Sequence, residues 1–248
     1  MSATAPPVPL AVAWHDAECG GYAADLADWV RLAEQRGAPV LDLGAGTGRV
    51  ALHLAARGVP VVAVELDPEL AAELRARAAR RRAPVEVVEA DARDLDLGRR
   101  FPLIVAPMQL LHLLGGSGGR AAALAAARRH LEPGGTLAVT ILAEPLPESG
   151  TPDPLPDVRE VEGWIHSSLP TEVRVTAESV ELARLRQLVS PSGELSEELD
   201  VTRLDRIPAA GLERELETAG FRVAASRSIE PTSDHVGSLL VIAEAADG

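Results

Sequence analysis

Residues 40–48 read Val-Leu-Asp-Leu-Gly-Ala-Gly-Thr-Gly, which places glycines at 44, 46 and 48 directly after a short apolar run. Alternate glycines let the backbone turn tightly and approach a ligand without Cβ collisions, and free amides at the following helix start can receive polar ligand atoms. That chemistry suits a nucleotide-like cofactor. The spacing also separates cofactors. A dinucleotide fingerprint needs glycine or alanine where this chain has Arg49, whereas alternate spacing is met by Gly44, Gly46 and Gly48. Carboxylates recur at comparable points further on, as Glu65 and Asp67 and then as Asp91. Singly, each reads as a solvated loop residue and the glycines as a tight turn. In this order at successive strand ends they read together as a cofactor site. His112, His166 and His235 are the side chains suited to moving a proton near neutral pH.

Such a set needs alternating strands and helices to position it. Val40 to Leu43, Val61 to Val64, Val85 to Val88, Leu103 to Ala106 and Thr136 to Leu142 read as strands, the last after the turn Pro133-Gly134-Gly135. Helical spacing runs from Thr47 to Arg57 and from Pro68 to Arg82. The alternation implies crossover connections and a mainly parallel sheet covered on both faces. From Glu144 to Asp157 five prolines mark a surface connection. Glu172 to Val189 and Leu195 to Ile207 read as β-rich, joined by the turn Ser190-Pro191-Ser192-Gly193, so an inserted antiparallel flap is expected. A helix from Ala209 to Ala219 closes at Gly220, and two strands follow, near Phe221 to Ile229 and Gly237 to Ala243. At the other end, Trp14 to Tyr22 precedes a helix from Ala23 to Gln35.

The stretch from Val40 to Gly48 resembles the first motif of class I S-adenosylmethionine-dependent methyltransferases, and the resemblance extends over most of the chain. It implies S-adenosylmethionine as cofactor and assigns roles by position. Leu43, Gly44, Ala45, Gly46 and Gly48 would form the cofactor turn, and Asp42 would hold that turn and help orient the methionine part near its ammonium. Glu65 would accept from the ribose hydroxyls, with Leu66 against adenine. Asp91 would accept from the exocyclic amine and the Ala92 amide would donate to the ring. Pro107 and Met108 stand in the segment that borders the transferred methyl in this family. Base-amino methyltransferases resemble one another there in an Asn/Asp-Pro-Pro-aromatic motif, which Ala106 and Met108 break. No carboxylate stands between Val105 and Gly119 to serve a catalytic metal. The segment from Trp14 to Tyr22 looks like the cap of small-molecule members, so Tyr22 could touch the cofactor or acceptor, with packing an equal alternative. His112 follows the fourth strand and is the first choice as acceptor-orienting group or base, with a histidine packed or hydrogen-bonded at the edge of an apolar face as the alternative. His235, between the last two strands, is second, and His166 beside Trp164 is third.

Composition narrows the partners. Aromatic residues are 2% and the formal net charge is −13, so stacking platforms are scarce and polyphosphates are repelled unless a local basic patch faces them, and no nucleic-acid partner is expected. Cys19 is the single cysteine, so no internal disulfide can form. With no signal-like N-terminus and no membrane-length apolar run, a cytoplasmic protein is expected, as monomer or homodimer. The fold expected is α/β, a Rossmann-like, doubly wound, seven-stranded sheet with a C-terminal antiparallel hairpin and an inserted β flap. Its divisions are residues 1–36 (cap segment and helix), 37–143 (cofactor core), 144–207 (flap) and 208–248 (helix and hairpin). The expected function is metal-independent methyl transfer to nitrogen or oxygen of a small molecule. An inactive cofactor-binding regulator and an NAD-binding enzyme are the alternatives.

Overall fold

The computed structural model describes residues 6–153, 155–232 and 235–246. Two compact units emerge, one built from the chain up to Tyr22 with Pro147–Leu204, the other from Ala23–Leu146 with the chain from Asp205 onward.

In the larger unit, strands β1 (Val40–Leu43), β2 (Val61–Glu65), β3 (Val85–Glu89), β4 (Phe101–Ala106), β5 (Leu131–Leu142), β10 (Phe221–Ile229) and β11 (Ser238–Ala245) form one sheet. Its order is β10-β11-β5-β4-β1-β2-β3. Pairing is parallel from β3 to β5, and β11 runs antiparallel to both β5 and β10. The four residues of β1 are all buried, as a central parallel strand requires. Their side chains alternate between two cores. Val40 packs with Trp29 and Leu32 of α2 (Leu26–Arg36), Leu54 of α3 (Arg49–Ala55) and Leu74 of α4 (Pro68–Arg81). Leu41 and Leu43 face Leu124 of α5 (Gly116–Arg129) and Leu212 and Leu216 of α6 (Ala209–Thr218).

The smaller unit holds α1 (Leu10–Cys19) and an antiparallel sheet in the order β6-β7-β8-β9, made of Asp157–Val161, Trp164–Val175, Ser179–Val189 and Leu195–Asp205. The two β-rich segments read from sequence are therefore four strands. β6 and the first half of β7 escape periodicity because their face toward α1 is polar. His166 and Ser168 are fully buried there, Arg159 pairs with Asp16, and Arg186 takes both carboxylate oxygens of Glu18. An alternation of polar-in and apolar-out inverts the usual strand signal.

Two helix starts move, and two further helices stand where the sequence offered none. Helix α3 starts at Arg49 because Gly48 holds a left-handed φ of 98°. Helix α2 starts at Leu26, after a turn that places Asp25 at its N-cap, and residues Leu10–Cys19 are helical in their own right. Helix α5 opens on Gly-Ser-Gly-Gly, which carries no helical signal in sequence. No described helix is long and apolar enough to cross a membrane.

Candidate functional site

The glycine turn leaves the carboxyl end of β1, the edge of a parallel sheet where ligands bind. Gly44, Gly46 and Gly48 all have positive φ, at 65°, 57° and 98°. The Ala45 amide donates to the Val64 carbonyl at 3.0 Å and the Gly48 amide to the Ala45 carbonyl at 2.9 Å, which folds the turn back on β2. A Cβ on Gly44 would lie 2.9 Å from Leu110 Cδ1, and one on Gly48 2.2 Å from Leu74 Cδ1. The Gly48→Ala variant is therefore expected to lose about 2–4 kcal/mol of stability, from left-handed strain and overpacking together. Urea denaturation checks this, and an unchanged midpoint would show that the turn has room.

Glu65, at the end of β2, is held by this turn. Its Oε2 accepts from the Gly46 amide at 2.7 Å and its Oε1 from the Asp67 amide at 2.9 Å. Both oxygens keep a second lone pair. Asp67 has a different task, since its Oδ1 accepts from the amides of Glu69 and Leu70 and caps α4. Leu66 between them is 57% exposed, a large apolar side chain offered to whatever lies above the turn.

Asp42 is 1% exposed, and neither carboxylate oxygen has a hydrogen-bond partner in normal geometry. Burial raises its pKa to about 7, against the pull of the Arg49 guanidinium and, next, of the nearby Ala51 amide, with Glu65 and Asp25 adding smaller upward pushes. A buried acid left this way costs free energy that a cationic ligand would offset. Arg49 itself is committed elsewhere, with both terminal nitrogens on Asp25 at 2.5 and 2.7 Å. That pair ties the start of α2 to the start of α3. Sequence reasoning missed it, because the partners lie 24 residues apart with no motif between them.

Asp91 follows β3, and its carboxylate is gripped by Arg93, whose Nε and Nη2 lie 2.6–3.0 Å away. The Arg93 guanidinium holds the acid below the usual carboxylate range. The Ala92 backbone follows directly, with its methyl buried. Nothing in the sequence motif pointed to Arg93.

After β4, Pro107 is buried and Met108 adopts a φ of 55°, rare for a residue with a side chain. The Met108 carbonyl accepts from Thr140 Oγ1 at 3.1 Å. His112 lies in a short 3-10 helix (Leu110–Leu113) and is 2% exposed. Its Nδ1 donates to the Asp205 carbonyl at 2.6 Å and its Nε2 accepts from the Leu142 amide at 3.1 Å. Both nitrogens are thus used within the fold, one donating and one accepting, and burial lowers the pKa. The Asp205 carboxylate in turn accepts from the Gly116 amide and from Arg120, whose other nitrogens take Glu215.

His235 lies in the connection between β10 and β11. Ser238 pairs with Leu142, so this connection emerges at the carboxyl edge of the parallel strands, as do the glycine turn, Glu65 and Met108. His235 is half-buried, and its amide donates to Thr232 Oγ1 at 3.0 Å. Tyr22 and His166 belong to the smaller unit, where both are buried. The edge of the His166 ring meets Trp14, with centroids 5.2 Å apart.

A methyltransferase-domain family matches residues 40–135. Among characterised proteins, the chain is 47% identical over 85 residues to ribosomal RNA small subunit methyltransferase A of Anaeromyxobacter dehalogenans, a match covering 33% of this chain and 29% of that one. It is 37% identical over 133 residues to dTDP-3-amino-3,6-dideoxy-alpha-D-glucopyranose N,N-dimethyltransferase of Streptomyces fradiae, covering 52% of this chain and 49% of that one. The chain thus spans less than half the length of these two relatives. Among solved structures, the CcbJ methyltransferase of Streptomyces caelestis is similar with a TM-score of 0.70 and 25% identity, over 92% of both chains.

Proposed function

We propose that the chain is a class I S-adenosylmethionine-dependent methyltransferase, as the methyltransferase-domain match over residues 40–135 supports, and that it transfers the methyl group of S-adenosylmethionine to the nitrogen of a small amine, with an amino sugar as the favoured class. The observation that carries this reading is the orphaned, buried Asp42 carboxylate beside a glycine turn that already holds Glu65 by two amides. A cofactor with an ammonium at one end and ribose hydroxyls further along supplies the groups these two acids lack. The amino-sugar class is favoured by the Streptomyces fradiae relative, which is named for that acceptor.

In this reading Glu65 binds the ribose, Asp42 the ammonium, and Asp91 with the Ala92 amide the adenine. Leu66 lies against the adenine, and Gly44, Ala45 and Gly46 let the turn approach. Pro107 and Met108 border the reacting end. The bound cofactor supplies a methyl on a sulfonium, a leaving group already activated for displacement, so the chain's own task is to position the acceptor and exclude water.

His112 acts here as a positioning residue, not as the base that its place in sequence suggests, because its lone pair is spent on the Leu142 amide. His235, at the same sheet edge, is the better candidate for receiving a proton from the acceptor nitrogen. The His112→Ala variant is expected to lose about 2–4 kcal/mol of stability, since it leaves a buried amide and a buried carbonyl unpaired. Thermal and urea unfolding test it. Full stability with turnover abolished would return His112 to the role of base. The function itself is tested by incubating the protein with S-adenosylmethionine and a panel of nucleotide-linked amino sugars, their hydroxyl analogues and simple amines. Methylation restricted to hydroxyl acceptors, or none across the panel, overturns the proposal.

A further inference from the structure

Within the larger unit, three charged side chains stand close together out of water. Asp25 ahead of α2 and Asp42 in β1 are buried, and the Arg49 side chain at the start of α3 is 9% exposed. Two acids thus face one guanidinium, which can pair fully with only one of them. Arg49 gives both terminal nitrogens to the two carboxylate oxygens of Asp25, at 2.5 and 2.7 Å. Neither oxygen of Asp42 has a hydrogen-bond partner in normal geometry, although Arg49 is the charge that pulls most strongly on it.

The Asp25–Arg49 pair is not accounted for by the helices that carry it. Asp25 occupies the N-cap of α2, where a carboxylate normally receives helix amides, yet its side chain caps nothing. Arg49 is the first residue of α3, and a cation at a helix N-terminus opposes the helix dipole. A buried ion pair also adds little net stability, because desolvation offsets the attraction. The neighbouring acid supplies the reason. A guanidinium left loose beside a buried carboxylate without a partner would swing onto it, since charge-assisted hydrogen bonds are strong where water is excluded. A cofactor ammonium would then find its acceptor already taken.

We propose, resting on the reading of Asp42 as acceptor of the cofactor ammonium, that Asp25 is a positioning residue: it holds the Arg49 guanidinium and so keeps Asp42 open to the ligand. Asp25 acts through Arg49 and not by contact with the cofactor. Of the two buried acids, one is satisfied inside the fold and the other only by a cationic ligand. The arrangement therefore favours a ligand that carries an ammonium over one that lacks it.

The test compares S-adenosylhomocysteine with methylthioadenosine, which keeps the adenosine and the sulfur but has no ammonium, by titration calorimetry on the full chain at pH 8. Asp25→Asn should weaken S-adenosylhomocysteine by roughly 10²-fold, the loss of one charge-assisted bond, and leave methylthioadenosine within about twofold of wild type. Adding Arg49→Met to Asp25→Asn removes the competing cation and should recover about tenfold or more of that loss. A pair that only ties α2 to α3 predicts equal losses for both ligands and no rescue, and either result overturns the proposal. So does an Asp25→Asn chain that fails to fold, because a guanidinium that takes Asp42 leaves no buried charge unpaired. A wild-type chain that binds methylthioadenosine as tightly as S-adenosylhomocysteine overturns the assignment of Asp42 to the ammonium, and this proposal with it. Binding of neither ligand to the wild-type chain overturns the cofactor reading itself.

Discussion

Replacing Glu65 by alanine is expected to raise the dissociation constant for S-adenosylmethionine and S-adenosylhomocysteine by roughly 10²–10⁴. Two charge-assisted hydrogen bonds to ribose hydroxyls contribute about 1.5–3 kcal/mol each, and each 1.4 kcal/mol is about tenfold. The structure adds a second cost. Glu65 also receives the amides of Gly46 and Asp67, so the variant frees the middle of the glycine turn as well as removing the acceptor. The Glu65→Gln variant separates the two effects. It keeps one acceptor oxygen for the turn but must direct an NH₂ at the other amide, so an intermediate loss is expected. Isothermal titration calorimetry with S-adenosylhomocysteine provides the readout. Affinity unchanged in the alanine variant would remove Glu65 from the site, whatever the effect on folding.

The second large effect is a pH dependence centred on Asp42. Its pKa in the ligand-free fold is about 7, against 3.8 for an ordinary aspartate, and burial is the main cause. A carboxyl with a raised folded pKa contributes its full stability below the unfolded pKa and loses it as pH rises through the folded one. The ligand-free protein should therefore lose stability between about pH 4 and 7, by about 4 kcal/mol at most, since each tenfold change in proton affinity on folding corresponds to about 1.4 kcal/mol. A cofactor ammonium favours the ionised form, so binding should show the opposite trend. Its affinity should rise up to tenfold per pH unit below about 7 and then level off, with uptake of a proton by the buffer. Arg49, Glu65 and Asp25 are the charged groups facing Asp42, and Arg49 is locked on Asp25 throughout. The Asp42→Asn variant should be more stable than wild type at pH 8 without ligand, yet should bind the cofactor weakly and without this pH dependence. Calorimetry in buffers of different ionisation enthalpy, with unfolding followed from pH 5 to 8, tests both halves. Binding that stays flat across this range in the wild-type chain would place the ammonium elsewhere.

Much of the larger unit is legible in the sequence because its signals are local. A buried parallel strand is a continuous apolar run, a positive φ is a glycine, and the acids at the ends of β2 and β3 follow their strands directly. Contiguous residues thus specify the glycine turn, the placement of Glu65 at the end of its strand and the alternation behind the parallel sheet. Tertiary structure decided what depends on partners distant in the chain. His112 occupies the position of a base in sequence, but the Asp205 carbonyl, 93 residues away, and the Leu142 amide claim both of its nitrogens. Arg93 grips Asp91, and Arg49 grips Asp25, through side-chain geometry that no spacing rule encodes. The strands β6 and β7 were obscured for the same reason. Their buried face is polar, with Arg159 paired to Asp16 and Ser168 bonded to Glu18 from the far end of the chain and His166 packed on Trp14, and hydrophobic periodicity cannot register such a face. Local sequence specifies backbone conformation and burial where water exclusion is the driving force, whereas the state of a buried polar group is set by whichever donor or acceptor the completed fold brings to it.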